Sequence, residues 1–468
     1  MRFHFIGICG AGMSAVAKLL IDQGHTVTGS DEGFYPPISD YLTTNNIPCT
    51  TPFSRENIPS DADYIIIGKH AKLVPEENEE VAEAFATGKK ILSFPQALQF
   101  IIKDRYPIVV AGSFGKSTCA SLLAWCLEPK GVGYFIGAIP LTPSNNASLG
   151  TSSLLILEGD EYPSSNQDVT SKFLYYNAHD LILTALAHDH INVFPTHKDY
   201  LAPFFTLIET LPHDATFLAC IDDATIREKI HTFKTPCVTY GLSPEATWHA
   251  ENISWGHETS FNLVHSGVIV TSLTTKLLGK HNVQNIIGVC AYILEKGFLS
   301  VEELHERIAS FEGIIRRLDR KSKKTSIPVY EGFGSSVDKA KSAVEAIKLH
   351  FPKHRLVIIF EPHTFSWRNK GALSWYDSVF TGAEKVFIYK PPIHGKDTHE
   401  QLSLDNIVAR VHASGINTVG FEHVPHGVKL IADEIRSNDV VLILSSGSMD
   451  GLLDTLIPAI ETLFPTRQ

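Results

Sequence analysis

The residues Val109-Val110-Ala111-Gly112-Ser113-Phe114-Gly115-Lys116-Ser117-Thr118 carry an apolar strand through Gly-x-x-Gly-Lys-Ser-Thr into a helix-like stretch from Cys119 to Glu128. Glycines there let backbone N–H groups approach phosphate oxygens, and a helix N-terminus favours the anion. Lys116 can neutralise β/γ-phosphate charge, and the Ser117 hydroxyl can hold Mg²⁺. Gly112, Ser113, Phe114, Gly115, Lys116, Ser117 and Thr118 are therefore assigned to the phosphates of a nucleotide, with Lys116 as the catalytic cation. Val110 stands where the strict Walker spacing has glycine, so the general pattern is matched in part.

A magnesium nucleotide needs further hard ligands. The apolar run Leu154 to Leu157 ends in Glu158-Gly159-Asp160-Glu161, which makes Glu158 the first acid off a strand. His188-Asp189-His190 follows the strand-like Leu181 to Thr184, where an imidazole or carboxylate could reach a metal. Near the N-terminus, Gly7-Ile8-Cys9-Gly10-Ala11-Gly12 lies between a strand and a helix, and Asp31 follows the next strand. Glycines at a pyrophosphate and an acid near a sugar hydroxyl are the logic of dinucleotide binding. The order here is G-x-x-G-x-G, however, and leaves a nucleotide-sugar site and an NAD site both open.

These segments must be held by strands and helices in alternation. Phe3 to Cys9, Thr26 to Gly29 and Tyr64 to Gly68 read as strands, with a helix over Met13 to Gln23, which implies a parallel sheet wrapped by helices. Pro107 to Ala111 opens a second unit, and short alternating segments from Pro236 to Ser272 predict an antiparallel patch. A third unit follows Lys321 to Thr325, with strands at Leu356 to Phe360, Lys385 to Tyr389 and Val440 to Leu444. At roughly 150 residues per domain, 468 residues agree with three α/β domains. The boundaries are placed at 1–104, 105–318 and 319–468.

Composition narrows the class of function. The chain has 40 basic and 51 acidic residues, net charge -11, with 44% hydrophobic residues. That balance argues against a nucleic-acid partner. Seven scattered cysteines without a C-x-x-C pair indicate neither disulfides nor a thiolate metal site. No segment reaches the roughly 18 apolar residues of a membrane span, and a cytoplasmic protein with no membrane partner is expected.

Taken together, the segments resemble the Mur ligase family, ATP-dependent amide ligases of peptidoglycan synthesis and recycling, over nearly the whole chain. The resemblance is carried by Gly29-Ser30-Asp31, Tyr35-Pro36-Pro37-Ile38-Ser39, Gly133-Tyr134-Phe135-Ile136-Gly137, Glu158-Gly159-Asp160-Glu161-Tyr162, Asp189-His190-Ile191-Asn192-Val193-Phe194 and Phe311 to Asp319. It implies an N-terminal Rossmann-like UDP-sugar domain, a central P-loop ATPase domain and a C-terminal Rossmann-like domain. Within the family these segments are most similar to the recycling branch, which joins UDP-N-acetylmuramate to a murein peptide. The branch that adds L-alanine in primary synthesis is the alternative.

The resemblance also implies roles. Gly10, Ala11, Gly12, Met13, Ser14 and Asp31 would lie in the UDP-sugar site. Ser117, Glu158 and His190 would hold or face Mg²⁺, with Lys116, Glu158 and His190 forming the catalytic set. Gly279-Lys280-His281-Asn282-Val283-Gln284-Asn285 is similar to the family's G-x-H-N-x-x-N helix start, so His281, Asn282 and Asn285 would serve ATP. Arg316 and Arg317 would clamp its phosphates. ATP would phosphorylate the lactyl carboxylate, and a peptide amine would attack the acyl phosphate. Small residues at Ser445-Ser446-Gly447-Ser448 are expected to leave space for that peptide.

The sequence also departs from the family. Phe114 replaces a histidine of the phosphate loop, Ala185 an asparagine and Pro163 an aspartate. Tyr330-Glu331-Gly332-Phe333-Gly334-Ser335-Ser336 occupies the place of Asp-Asp-Phe-Ala-His-His-Pro, with Glu331 as a substitute acid. Those losses keep a second alternative open, a nucleotide-binding protein without ligation, and the first glycine turn a third, an NAD-linked oxidoreductase.

Overall fold

The structure is a computed structural model that describes residues 1–34, 38–190, 193–392 and 400–466. Tyr35-Pro36-Pro37 and Ile191-Asn192, which contribute to the family resemblance, lie outside them. The chain packs as two compact units. The first comprises Met1–Asn252, Phe261–Thr274 and Val283–Phe311, and the second Ile253–Ser260, Thr275–Asn282 and Glu312–Gln468.

The first unit opens with strands β1 (Arg2–Ile6), β2 (Thr26–Ser30), β3 (Cys49–Thr50), β4 (Tyr64–Ile67) and β5 (Lys90–Leu92). They form a parallel sheet in the order β3-β2-β1-β4-β5. Phe3, Phe5, Ile6 and Ile65 to Ile67 are buried, as strands covered on both faces require. Helix Ala11–Asp22 starts at the glycine turn after β1 and buries Met13 to Ala17, Leu19 and Leu20, so its first turns are covered all round.

The ten strands of the second sheet are β6 (Tyr106–Ala111), β7 (Gly133–Phe135), β8 (Ala147–Ser148), β9 (Leu154–Gly159), β10 (Asp180–Leu183), β11 (Phe217–Cys220), β12 (Val238–Gly241), β13 (Trp248–Ser254), β14 (Thr259–His265) and β15 (Val268–Thr275). Their order is β15-β14-β13-β12-β11-β10-β6-β9-β7-β8, with β11, β10, β6, β9 and β7 parallel. The patch expected to be antiparallel begins otherwise, because β12 pairs parallel with both β11 and β13. The alternation there reflects one-sided exposure, as in β14 with its buried Thr259, Phe261 and Leu263 and exposed Ser260. One hydrophobic core runs through both sheets, from Phe3, Leu20 and Leu98 to Leu157, Tyr176 and Phe204. That shared core is why the first 252 residues pack together.

In the second unit, β16 (Arg317–Arg320), β17 (Val329–Gly332), β18 (Arg355–Phe360), β19 (Lys385–Tyr389), β20 (Asn417–Phe421) and β21 (Asp439–Leu444) form a sheet ordered β16-β17-β21-β18-β19-β20. Only the β16–β17 pair is antiparallel. One face is covered by helix Val337–His350 through Ala340, Val344 and Ile347. The other is covered by Ile431, Leu456 and Ile460 of two later helices.

Candidate active site

Strands β10, β6 and β9 are neighbours, so the chain leaving their carboxyl ends converges at one place. This is where open α/β sheets bind ligands. Gly112 follows β6 at φ +139, and a Cβ there would stand 2.3 Å from Thr184 Oγ1 and 2.7 Å from Ala185 N. The Ser113 N–H donates to the Ala185 carbonyl at 2.9 Å, and the Thr184 hydroxyl donates to the Phe114 carbonyl. Gly115, at φ +84, caps helix Lys116–Leu127, and a Cβ there would meet Asn285 Oδ1 at 2.5 Å. Glycine is needed at both positions by backbone angle and by space. The helix N–H groups beyond Gly115 thus face the anion site that the sequence indicates.

Lys116 Nζ donates to the Gly112 carbonyl at 2.5 Å and to Glu161 Oε2 at 2.7 Å. Glu161 is fully buried, and its other oxygen lies 3.4 Å from both His190 Nε2 and the Tyr200 hydroxyl. Burial, with Glu161 beside it, pushes the Tyr200 phenol up, so Tyr200 is a neutral donor. Ser117 Oγ donates to Glu158 Oε1 at 2.6 Å, and the Gly137 N–H donates to Glu158 Oε2 at 2.7 Å. Glu158 lies inside β9 rather than beyond its end. It belongs with Ser117, whereas His190 belongs with Glu161 and Lys116.

Glu161 has no role assigned from the sequence. It sits three positions after Glu158 in one acidic run, and burial alone distinguishes it. His190 holds φ +56, unusual for a residue with a side chain, while its carbonyl accepts N–H bonds from Val193 and Phe194 at 2.8 and 2.9 Å. Such backbone strain costs of order 1–3 kcal/mol and clusters at functional sites. Ser117, Glu158 and Glu161 supply hard oxygen donors that suit Mg²⁺. Among the described residues no three His, Cys, Asp or Glu groups converge on one point. A cation held here would complete its shell with phosphate and water oxygens, as nucleotide magnesium does.

A cavity of ≈370 Å³ lies beside the first glycine turn. Gly10, Gly12, Met13 and Asp31 line it, together with Lys69 and Lys172. Helix Ala11–Asp22 points its N-terminus there, with no side-chain cap and no acid in its first turn, which favours a bound anion. Asp31 Oδ2 accepts the Cys9 N–H at 2.8 Å, and its other oxygen accepts the Glu32 N–H. Burial, then Asp31, pushes the Cys9 thiol up to about 12, leaving it uncharged. Ser14 turns its hydroxyl back to the Gly10 and Ala11 carbonyls, at 3.1 and 3.2 Å, because its helix position faces inward.

Asn285 lies against Gly115 of the phosphate loop in the first unit. In the second unit, Asn282 Nδ2 donates to the Leu278 carbonyl at 2.7 Å and is buried, while His281 is exposed. Arg316 and Arg317 differ in setting. Arg316 Nε donates to Glu331 Oε1 at 2.9 Å, and the guanidinium also reaches the Ser445 and Gly447 carbonyls. Arg317 is exposed on β16. Glu331 is engaged by Arg316 and by Lys321 Nζ at 2.8 Å. The space expected beside Gly447 is filled, since a Cβ there would stand 2.3 Å from the His363 ring and 2.6 Å from Glu361. The small residue admits these side chains rather than a ligand.

A lysine at a helix N-terminus, two hard-oxygen carboxylates and a phosphate loop at the carboxyl ends of a parallel sheet define a nucleotide-using enzyme site. The family signature for the Mur ligase family catalytic domain matches residues 2–106, and that for the Mur ligase middle domain matches residues 110–293. The chain belongs to the Mur ligase family, whose members use ATP to form amide bonds.

Among its relatives is the UDP-N-acetylmuramate–L-alanine ligase of Treponema pallidum, 27% identical over 464 residues, 96% of this chain and 94% of that one. Another is the UDP-N-acetylmuramate–L-alanyl-γ-D-glutamyl-meso-2,6-diaminoheptandioate ligase of Haemophilus influenzae, 27% identical over 467 residues, 98% of this chain and 99% of that one. The solved UDP-N-acetylmuramate–alanine ligase of Thermotoga maritima shares the fold, with TM-score 0.79, 22% identity and 99% of each chain covered. No helix among the described residues is long and apolar enough to cross a membrane.

Proposed function

We propose that the protein joins the lactyl carboxylate of UDP-N-acetylmuramate to the amine of a murein peptide, in peptidoglycan recycling. The observation that carries this reading is that the Lys116–Glu161–His190 cluster and the cavity at Gly10 and Gly12 belong to one compact unit. One site would place a phosphoryl donor and the other a carboxylate-bearing sugar nucleotide. Domain limits of 1–104, 105–318 and 319–468 are part of the proposal.

In this mechanism the N–H groups of loop 112–118 and Lys116 hold the ATP phosphates. Ser117, Glu158 and Glu161 would hold Mg²⁺, which when bound neutralises charge on the transferring phosphoryl group. Glu161 keeps Lys116 and His190 in place. A carboxylate oxygen of the sugar nucleotide attacks the γ-phosphorus, and ADP leaves. The peptide amine then attacks the acyl carbon, phosphate leaves, and an amide is formed. Excluding water at this stage protects the acyl phosphate from hydrolysis.

Full-length similarity to the Haemophilus influenzae ligase supports the peptide as acceptor. A second reading, L-alanine as acceptor, is favoured by the Treponema pallidum relative at the same identity. The deciding experiment measures phosphate release from ATP. Turnover that requires both UDP-N-acetylmuramate and the tripeptide L-alanyl-γ-D-glutamyl-meso-diaminopimelate upholds the proposal. Turnover with L-alanine but not the tripeptide replaces it by the second reading, and ATP binding without any turnover makes the chain a non-catalytic nucleotide binder.

A further inference from the structure

The first unit holds a second charged arrangement that the phosphate loop does not use. Tyr162 follows Glu161 directly, and its ring lies near two ammonium groups. Lys69 Nζ is 5.1 Å and Lys172 Nζ 5.8 Å from the ring centroid. The ring meets His190 edge-on, with centroids 4.6 Å apart and planes at 78°. Lys172 Nζ also lies 2.5 Å from Asp160 Oδ2 and 5.2 Å from the centroid of Phe94, the ring that covers Gly12. Both lysines line the ≈370 Å³ cavity.

The charges at this end do not balance. Asp160 is the carboxylate paired with Lys172, and Lys69 meets the face of Tyr162. Burial, and then repulsion from Lys172, hold Lys69 below the usual lysine range, as expected of like charges kept close. Elsewhere in the cavity both acids have partners. Lys72 pairs with Glu32 at 3.5 Å, and Asp31 accepts two backbone N–H groups. An anion at the Tyr162 end would relieve the surplus.

The cavity thus offers two seats for negative charge. One is the uncapped N-terminus of helix Ala11–Asp22, which suits a diphosphate. The other is the Tyr162 end, whose ring touches His190, the residue that shares Glu161 with Lys116 of the phosphate loop. Glu161, the residue before Tyr162, holds Lys116 at 2.7 Å, and Asp160, the residue before that, holds Lys172 at 2.5 Å. A carboxylate that is to be phosphorylated must sit about 3–3.5 Å from the phosphorus it attacks. Of the two seats, the second is therefore the one for the reacting group.

We propose that Lys69 and Lys172, grouped around Tyr162, seat the carboxylate of the sugar nucleotide that is to be phosphorylated, and so distinguish a carboxylate-bearing sugar from one without it. The inference rests on the sugar-nucleotide reading above, and its test separates the two. Binding of UDP-N-acetylmuramate and of UDP-N-acetylglucosamine, which lacks the lactyl carboxylate, is measured by calorimetry on the full chain without ATP.

The wild type should prefer the carboxylate-bearing sugar by about tenfold or more, the order of one charge-assisted hydrogen bond. Lys172→Met and Lys69→Met should each reduce that preference several-fold, with UDP-N-acetylglucosamine affinity within about twofold of wild type. Lys172→Arg should restore most of it. The ion-pair partner of Asp160 is Lys172, so Lys69→Met leaves that pair in place. Equal weakening of both ligands would assign the lysines to the diphosphate and overturn the proposal, as would an unchanged preference. A wild type that binds neither ligand would overturn the sugar-nucleotide reading itself, and the proposal with it.

Discussion

Lys116 Nζ lies 2.7 Å from Glu161 Oε2, and the same carboxylate faces His190 Nε2 at 3.4 Å with its other oxygen. One fully buried acid thus ties the phosphate-loop lysine to the histidine that follows β10. Removing either partner of such a pair leaves charge stranded in the interior, which is costly.

Lys116→Ala is expected to reduce ATP turnover by on the order of 10² to 10³, the usual loss for one electrostatic contact to developing charge. Its far-UV circular dichroism at 25 °C should match the wild type, because the side chain packs in no hydrophobic core, while its thermal midpoint falls because Glu161 is left without its cation. Phosphate release within tenfold of wild type would show that the loop does not bind the transferred group.

Glu161→Gln keeps the shape of the side chain and removes its charge. Since Glu161 both supports Lys116 and offers a hard ligand, the Mg²⁺ concentration for half-maximal turnover should rise about 10- to 100-fold, the range for groups that support a metal site. Glu158→Gln should act through Ser117 instead. If only Glu158→Gln shifts the magnesium requirement, Glu161 is no part of the metal site.

Gly12→Val should weaken UDP-N-acetylmuramate binding about tenfold or more. A Cβ at this position already stands 3.2 to 3.5 Å from the Phe94 ring, so the two γ-methyl groups must displace it. Overpacking of this kind costs about 1–3 kcal/mol. Titration without ATP gives the comparison, and an unchanged dissociation constant would move the sugar site elsewhere.

His350 provides a pH prediction for the second unit. The Gly279 N–H donates to His350 Nε2 at 2.9 Å, and His350 Nδ1 donates to the Gly256 carbonyl at 2.6 Å, so the ring is held neutral. Burial lowers its pKa from the usual 6.5. The unfolded chain therefore takes up the proton first as pH falls below 6.5. The stability contributed by the neutral ring is complete above that value and is lost toward the lower folded pKa. His350→Ala should cost about 1–3 kcal/mol at pH 7.5 by stranding the Gly279 N–H. Urea denaturation should show that difference shrinking at pH 5. His354, also held below its usual value by burial, remains in both proteins and cancels from the comparison.

The phosphate loop was legible in the residues because its chemistry is local. Ten consecutive positions, Val109 to Thr118, contain the strand end, the two glycines, the lysine and the hydroxyl, and strand-to-helix geometry does the rest. The α/β order, the glycine turn at Gly10 and Gly12 and the family segments were legible for the same reason. Each is written in neighbouring residues whose apolar periodicity or backbone freedom is fixed by residue type.

Only the tertiary structure separated Glu161 from Glu158, because the two acids are alike in sequence and differ in what strands β6, β9 and β10 bring against them. It also drew Lys69 and Lys172 to one ring across more than a hundred residues, and turned Arg316 onto Glu331 and the β21 end. Gly447 read as open space because a missing side chain is visible in a sequence, whereas the His363 and Glu361 side chains that fill its place arrive from another strand. Burial and charge partnership are sums over neighbours distant in the chain, and the order of residues does not contain them until the sheets are assembled.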